Sequence, residues 1–358
     1  MTADATPPDD LQVAWFAALC DDDHEQLGVP DPTLASSFEH GAAIVREAER
    51  QGFDNVLLPS GYDLGIDATA FAAAVAPSLT RIRLLLAVRM GELWPPQLAR
   101  QLATVDQLLG GRLDVNVISS DLPGAPLPSG PRYARTLQAM TVLRSLLDRE
   151  RAEVHGDAYD LSIDPPRLAT VSGRCPDLYF GGLSEAARAV AADAADVYLM
   201  WPDTEDVVAD LIADLTARAR ARGRTLRFGY RVHVVVRETE EEARAAAEHL
   251  VGALAPGAGE AIRNRSLDAG SVGVAAQGDL RARSDADGYA EAHLWTGIGR
   301  ARSGCGAAIV GDPEQVAAKI GRYRALGLST FILSGYPHLD ECRRFGELVL
   351  PLLRDDRP

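Results

Sequence analysis

Residues 227–237 read RFGYRVHVVVR, and the alternation in this run decides how the rest of the chain folds. In an extended chain alternate side chains share a face. Arg227, Arg231, His233 and Val235 therefore point one way, and Tyr230, Val232, Val234 and Val236 the other. Val232 and the run Val234–Val236 are too apolar for an exposed ribbon. Both faces are expected to be covered, as in a parallel sheet. An arginine in such a strand is costly unless an anion meets it. For Arg231 alone, a structural carboxylate and a bound ligand are equally good answers. For His233 alone, a satisfied core histidine is the simpler reading.

Moving outward, short apolar runs alternate with amphipathic stretches about eight times. The strand candidates are 11–19, 55–59, 82–88, 112–118, 177–182, 196–201, 227–237 and 330–336. Helical patterns occupy 37–51, 67–79, 95–109, 134–149, 184–195, 204–222, 239–251 and 312–326, and 341–353 closes the chain. Ser184 and Asp312 suit N-cap positions, Pro95-Pro96 suits a first turn, and Gly52, Gly110 and Gly223 suit C-caps. Eight strand–helix units predict an α/β fold, a (β/α)8 TIM-like barrel, with an open doubly wound sheet as the alternative. The barrel is expected to span 11–353 as one domain, after a disordered lead-in at 1–10 and before a short tail at 354–358. Two stretches break the rhythm. Residues 150–176 predict a hairpin and loop. Residues 252–305 form a Gly/Ala/Asp/Arg-rich insertion that predicts a mobile lid over the mouth.

Composition narrows the function classes. The chain has 358 residues, 47% hydrophobic and 24% charged, as in a soluble globular protein. A formal net charge of −15 argues against nonspecific binding to nucleic acid or to an anionic membrane. It leaves room for an anionic substrate met by a few converging arginines. No apolar run is long enough to span a membrane, and MTADATPPDD lacks the layout of a signal peptide. Cys20, Cys175, Cys305 and Cys342 form no CxxC, which predicts four reduced thiols in the cytoplasm. No metal-ligand spacing such as HExxH occurs.

In a barrel, chemistry sits at the C-terminal ends of the strands. The polar residues expected there are Asn116, Ser119-Ser120-Asp121, Trp201, Arg231, His233, Tyr336 and His338, with Arg302 following the insertion. FGGLSEA, 180–186, reads as an anion site: Gly181 and Gly182 admit close backbone approach, and Leu183-Ser184 opens a helix. A tight βα turn is the competing reading of the same residues. GIGRARSG (297–304) is not a dinucleotide fingerprint, because its third glycine is misplaced and no strand precedes it. With no Walker motif either, the chain shows no dinucleotide site of its own.

LYFGGLSEAA, DVYLMW, RFGYRVHVVVRET, the LW–GIGR–RSG–G–A–VGD series and LSGYPHL together resemble the bacterial luciferase-like flavin monooxygenases, and within them the alkanesulfonate monooxygenase branch. The likeness runs from Trp15-Phe16 through GRLDVNV and PRYART to GELVLPLL. It implies a TIM-like barrel that binds reduced FMN at its C-terminal mouth, with O2 as co-substrate. A separate NAD(P)H-dependent flavin reductase would supply the FMN. The resemblance puts the FMN phosphate at Gly181, Gly182, Leu183 and Ser184 with Tyr133 nearby, and the flavin beside Asn116. It assigns catalysis to Arg231, His233, Arg302, Tyr336 and His338, and substrate binding to Trp201, Arg231, His233 and Arg302. The implied reaction is oxidative desulfonation of an alkanesulfonate, or a similar small organosulfur anion, to an aldehyde and sulfite through a peroxyflavin. Two guanidinium forks suit a sulfonate, a permanent anion with three oxygens. The family commonly forms homodimers or homotetramers.

The chain departs from the pattern in three places. Cys20 stands where the family has a His, and Gly65 or a neighbour where it has a Cys. The chain also ends at PLLRDDRP without the longer tail of the sulfonate branch. A sulfone, another organosulfur compound or a specialised metabolite stays open as substrate, as does a deazaflavin-dependent hydride transfer on the same barrel.

Overall fold

Parallel strands too short to bury both faces alone do so by closing into a ring, and this chain does that with eight of them. The computed structural model describes residues 11–19, 23–62, 65–255, 270–302 and 304–355. Its strands are β1 (Gln12–Phe16), β2 (Asn55–Leu58), β3 (Arg83–Arg89), β4 (Leu113–Ile118), β5 (Ala152–His155), β6 (Asp160–Ile163), β7 (Leu178–Phe180), β8 (Val197–Met200), β9 (Arg227–Val236), β10 (Tyr289–Glu291), β11 (Leu294–Trp295), β12 (Ala308–Gly311) and β13 (Leu328–Ser334). The parallel order β1-β2-β3-β4-β7-β8-β9-β13 returns to β1 and closes a TIM-like (β/α)8 barrel. All eight strands expected from the sequence are these eight. Their lumen faces pack Ala14, Phe16, Leu57, Leu85, Tyr179, Val197 and Ile332 together. The outward faces, including Tyr230, Val232, Val234 and Val236, join the larger core under the helices.

The helices start and stop where side chains can satisfy their ends. Ser184 accepts a hydrogen bond from Ala187 N, and Asp312 forms a capping box with Gln315. Gly52 and Gly110 close their helices in the left-handed conformation, φ 89° and 62°, which an L side chain rarely adopts. The closing helix breaks into His338–Leu348 and Leu350–Asp355 and begins three residues earlier than the 341 expected from sequence. Residues 150–176 contain the expected hairpin, β5 against β6.

The 252–305 segment holds more regular structure than its weak periodicity suggests. Gly252 ends the helix Glu240–Gly252, and residues 256–269 lie outside the described residues. From 270 onward the segment is ordered into a helix (Val272–Ala282), β10, β11 and a 3-10 turn (Gly297–Arg300). β8 has four residues and pairs only with Arg227–Tyr230 of the ten-residue β9. The free upper edge of β9, His233–Val236, is taken instead by β12, with β11 and β10 antiparallel beyond it. Arg231 and Val232 therefore sit where the wall of the barrel forks. Buried Gln277 ties the insertion down on both sides. Its amide donates to Pro202 O at 2.7 Å and accepts from Gly306 N at 3.0 Å.

Candidate active site

Register places the sequence candidates before any side-chain contact is considered. Ile332 lies beside Arg231 and Ser334 beside His233, so both β9 residues share the lumen face at the C-terminal end of the barrel. Arg231 is 5% exposed, and its guanidinium lies over the Phe16 ring, 4.4 Å from the centroid. Its Nη1 donates to Val232 O at 3.1 Å. The cation thus rests on an aromatic face rather than in water, an arrangement worth about 1 kcal/mol or more when desolvated.

His233 is fully buried, with Nδ1 2.7 Å from Ser334 Oγ and Nε2 without a partner among the described residues. Burial pushes its pKa well below the usual imidazole value, and the charges of Arg231, Arg302 and His338 push the same way. His233 is therefore neutral at working pH and can offer or accept a hydrogen bond without carrying charge. Its ring stacks on Tyr336 at 5.3 Å and 25°. The Tyr336 hydroxyl accepts from Arg302 Nη1, and the His338 ring stands nearly perpendicular to the same ring, with centroids 4.9 Å apart. Five of the expected residues, Arg231, His233, Arg302, Tyr336 and His338, thus converge on one cluster around Tyr336 and Phe16.

His338 is held more firmly than the sequence suggested. Its backbone N donates to Asp23 Oδ1 at 2.9 Å, and its ring Nδ1 lies 2.8 Å from the same oxygen. Asp23 Oδ2 lies 2.7 Å from His40 Nε2. Burial alone would raise the Asp23 carboxyl. The charge and hydrogen bonds of His338, with the hydrogen bond of His40, instead hold it well below the usual carboxylate range. Asp23 was missed from sequence because DDDH offers three equivalent acids, and nothing local says which one meets a histidine 315 residues away. Cys305 was also missed. Its thiol donates to Arg231 O at 3.4 Å, and burial pushes its pKa up. Cys20 and Ser303 lie outside the described residues, whereas Gly65 is exposed with φ 91°.

The remaining candidates separate from this cluster. Trp201 follows β8 and meets the insertion: a Cβ on Gly273 would stand 2.9 Å from its ring, and one on Gly304 3.1 Å. Asn116 lies on the lumen face of β4, level with Ala87 and Tyr179. The Gly181–Ser184 turn forms a cradle. A Cβ on Gly181 would meet Leu199 O at 2.2 Å, and one on Gly182 (φ 141°) would meet Ala187 Cβ at 2.7 Å and Tyr133 Oη at 3.4 Å. Tyr133 therefore stands over the cradle, and Tyr198 Oη donates to Gly182 O at 2.8 Å from below. Among the described residues no group of His, Cys, Asp and Glu could hold a metal ion, and no helix is long and apolar enough to cross a membrane.

The chain matches the family described as luciferase-like monooxygenase over residues 13–330, nearly the whole barrel. It belongs to the luciferase-like monooxygenase family. Its curated relatives include a sulfoquinovose monooxygenase of Novosphingobium aromaticivorans, 61% identical over 95% of this chain and 96% of that protein. Another sulfoquinovose monooxygenase, from Agrobacterium fabrum, is 49% identical over 97% of this chain and 90% of that protein. Among solved structures, a riboflavin lyase with modified FMN and riboflavin has TM-score 0.78 at 19% identity, covering 97% of this chain and 92% of that one. That likeness establishes the shared barrel and nothing finer. As a luciferase-like monooxygenase the chain is an enzyme, and the Tyr336 cluster and the Gly181–Ser184 cradle both follow the C-terminal ends of barrel strands.

Proposed function

We propose that this enzyme is the oxygenase of a two-component system that oxidatively desulfonates sulfoquinovose, a hexose bearing a sulfonate on its terminal carbon. The observation that carries the reading is Arg231, a buried guanidinium at the fork of the barrel wall, with Arg302 on the same aromatic cluster. A sulfonate is a permanent anion, and two guanidinium forks can share its three oxygens. The sequence reading of an alkanesulfonate is thereby narrowed to a sugar sulfonate, because the two relatives named above are sulfoquinovose monooxygenases.

The site fits reduced FMN as its cofactor. The glycine cradle that a Cβ would fill, at the start of the helix Glu185–Ala194, would receive the phosphate with Tyr133 beside it. Asn116 would face the ring system from β4. When bound, the reduced flavin supplies two electrons and activates O2; a separate NAD(P)H-dependent reductase would deliver it. Balanced, sulfonate, O2 and reduced FMN give aldehyde, sulfite, FMN, water and one proton. The C–S bond breaks, one hydrogen leaves the sulfonated carbon as a proton, and the two oxygen atoms end in the aldehyde and in water. The residues of this chain orient the sulfonate (Arg231, Arg302, with Trp201 as a wall), exclude water, and handle that proton (His233, His338, Tyr336). We assign the enzyme to the cytoplasm as a homodimer or homotetramer.

The decisive test is sulfite release from purified enzyme with a flavin reductase, NAD(P)H, FMN and O2. Sulfoquinovose should yield stoichiometric sulfite and consume oxygen, whereas linear alkanesulfonates should give at least about tenfold lower kcat/KM, since a site built for hydroxyls discriminates strongly against partners lacking them. No sulfite from any sulfonate would sink the substrate assignment. Hydride transfer without oxygen uptake would favour the deazaflavin alternative. Gly182→Ala is expected to weaken reduced-FMN binding about tenfold, a loss of ~1.4 kcal/mol measured by anaerobic fluorescence titration, with sulfoquinovose binding unchanged.

A further inference from the structure

The proposed reaction releases one proton per turnover inside a pocket that must exclude water, so some buried group has to take it. Two histidines border the cluster, and their surroundings differ. His233 has Nδ1 against the Ser334 hydroxyl and stands among the charges of Arg231, Arg302 and His338. Protonating it would add a positive charge to an already positive corner, with no carboxylate opposite its ring nitrogens among the described residues. His338 is the reverse case. Its Nδ1 faces the Asp23 carboxylate at 2.8 Å, and both residues are buried, at 0% and 3% exposure. An ionised carboxylate only accepts hydrogen bonds, so Nδ1 carries the hydrogen. Nε2, which has no partner among the described residues, is left as the basic atom.

We propose that Asp23, clamped between His338 and His40, is a positioning residue that fixes His338 with Nδ1–H inward and Nε2 as acceptor. This makes His338, rather than His233, the group that takes the proton the reaction releases. The inference rests on the desulfonation reading for its proton but not for its geometry. When Nε2 takes that proton, the imidazolium remains hydrogen-bonded to a carboxylate and no other bond changes. His40 enters because it holds the second oxygen. Its Nε2 lies 2.7 Å from Asp23 Oδ2, and its side chain is 11% exposed, so it reaches the same carboxylate from the solvent side. Protonating His40 draws on Asp23 and opposes protonation of His338. Asp23 also joins the loop after β1 to the start of the helix His338–Leu348 through its bond from His338 N, so one carboxylate sets both the ring and its backbone. The other groups near His338 are Tyr336, its ring nearly perpendicular, with Arg302 on that tyrosine's hydroxyl and His233 stacked on the same tyrosine ring, and Phe16, which carries Arg231 on its face.

The test uses the full chain with two variants, Asp23→Asn and His40→Gln, and two readouts. The first is independent of turnover: nitrogen-15 NMR of the imidazoles should show His338 with hydrogen on Nδ1 in the parent and a changed tautomer balance in Asp23→Asn. The second is the pH profile of sulfite release. In Asp23→Asn the acid limb should move to lower pH, as the imidazolium loses its counter-charge, and kcat should fall about 10²-fold with KM nearly unchanged, the scale of a lost acid–base contribution. In His40→Gln the same limb should move the opposite way, to higher pH, because glutamine on Oδ2 cannot carry the competing charge that a protonated imidazole would. A His338 tautomer unchanged in Asp23→Asn, or an acid limb unmoved in both variants, would overturn the proposal. Should Asp23→Asn not fold, His40→Gln carries the test alone, since glutamine still donates to Oδ2. Absence of sulfite from every sulfonate would overturn the desulfonation reading instead, and the tautomer measurement would then decide this one.

Discussion

Arg231→Ala is expected to lower kcat/KM for sulfite release about 10³-fold while moving the melting temperature by no more than about 3 °C. The first number comes from the site. Truncation removes a desolvated guanidinium that would bind the sulfonate and stabilise charge as the C–S bond breaks, and in a dry pocket such donors are worth far more than in water. The second comes from the packing. Among its contacts, the side chain rests on Phe16, a cation–aromatic contact of about 1 kcal/mol, and bonds the neighbouring carbonyl of Val232. Truncation also removes a charge that pushes His233 down, so the His233 pKa should rise in the variant. Arg231→Lys separates charge from geometry. A lysine keeps the cation but loses the planar fork, and an intermediate loss of about 10- to 100-fold is expected. Steady-state kinetics and calorimetry on the same preparations check both numbers. A variant that unfolds while its remaining folded fraction turns over normally would show Arg231 to be structural.

The barrel was legible because its strands announce themselves twice, once by their own apolarity and once by the polar residues and helix that succeed them. RFGYRVHVVVR, TFILSGY and DVYLMW are each a short apolar run that stops at polar residues and hands over to an amphipathic helix. The sequence pattern does not carry β10, β11 and β12, of three, two and four residues, because no periodicity can be counted over so few positions. They exist because the upper edge of β9 outruns β8 and leaves backbone groups to be paired. The helix Val272–Ala282 escaped for a different reason. VGVAAQGDLRA is rich in Gly and Ala, and only Gln277 and Leu280 are buried, too few to mark a stripe. The candidate cluster was half legible. Arg231 and His233 were visible from alternation along one strand, and Arg302, Tyr336 and His338 from the motifs around them. Asp23 and His40 were not, because their meaning lies in a closure between the first and last units of the ring. Such closure sets side by side residues that sequence separates most widely.

Lys319→Met should be the most destabilising single substitution outside the site, by roughly 3 kcal/mol, because it strips the cation from two carboxylates that stay in place. The lysine side chain is 1% exposed, with Nζ 2.6 Å from Glu205 Oε1 and 2.6 Å from Glu291 Oε1. Arg322 Nε donates to Glu205 at 2.8 Å and Tyr323 Oη to Glu291 at 2.9 Å. Burial would raise the Glu205 carboxyl, but the hydrogen bonds from Lys319 and Arg322 outweigh it and hold the group below its ordinary 4.5. A carboxylate depressed in the folded state stabilises above its unfolded pKa, and that contribution is lost as pH falls through the folded value. The parent enzyme should therefore lose stability as the pH drops below 4.5, and Lys319→Met should show a shallower dependence from a lower starting point. Thermal unfolding at neutral and acid pH measures both. The location adds a second consequence. Glu205 begins the helix after β8, Glu291 belongs to β10 of the insertion, and Lys319 and Tyr323 lie on the helix Pro313–Ala325. Losing the lysine frees the insertion from the barrel before it unfolds the barrel, so limited proteolysis of the variant should cut first within 252–305. Because Trp201 lies against Gly273 and Gly304 of that same segment, turnover should fall along with it.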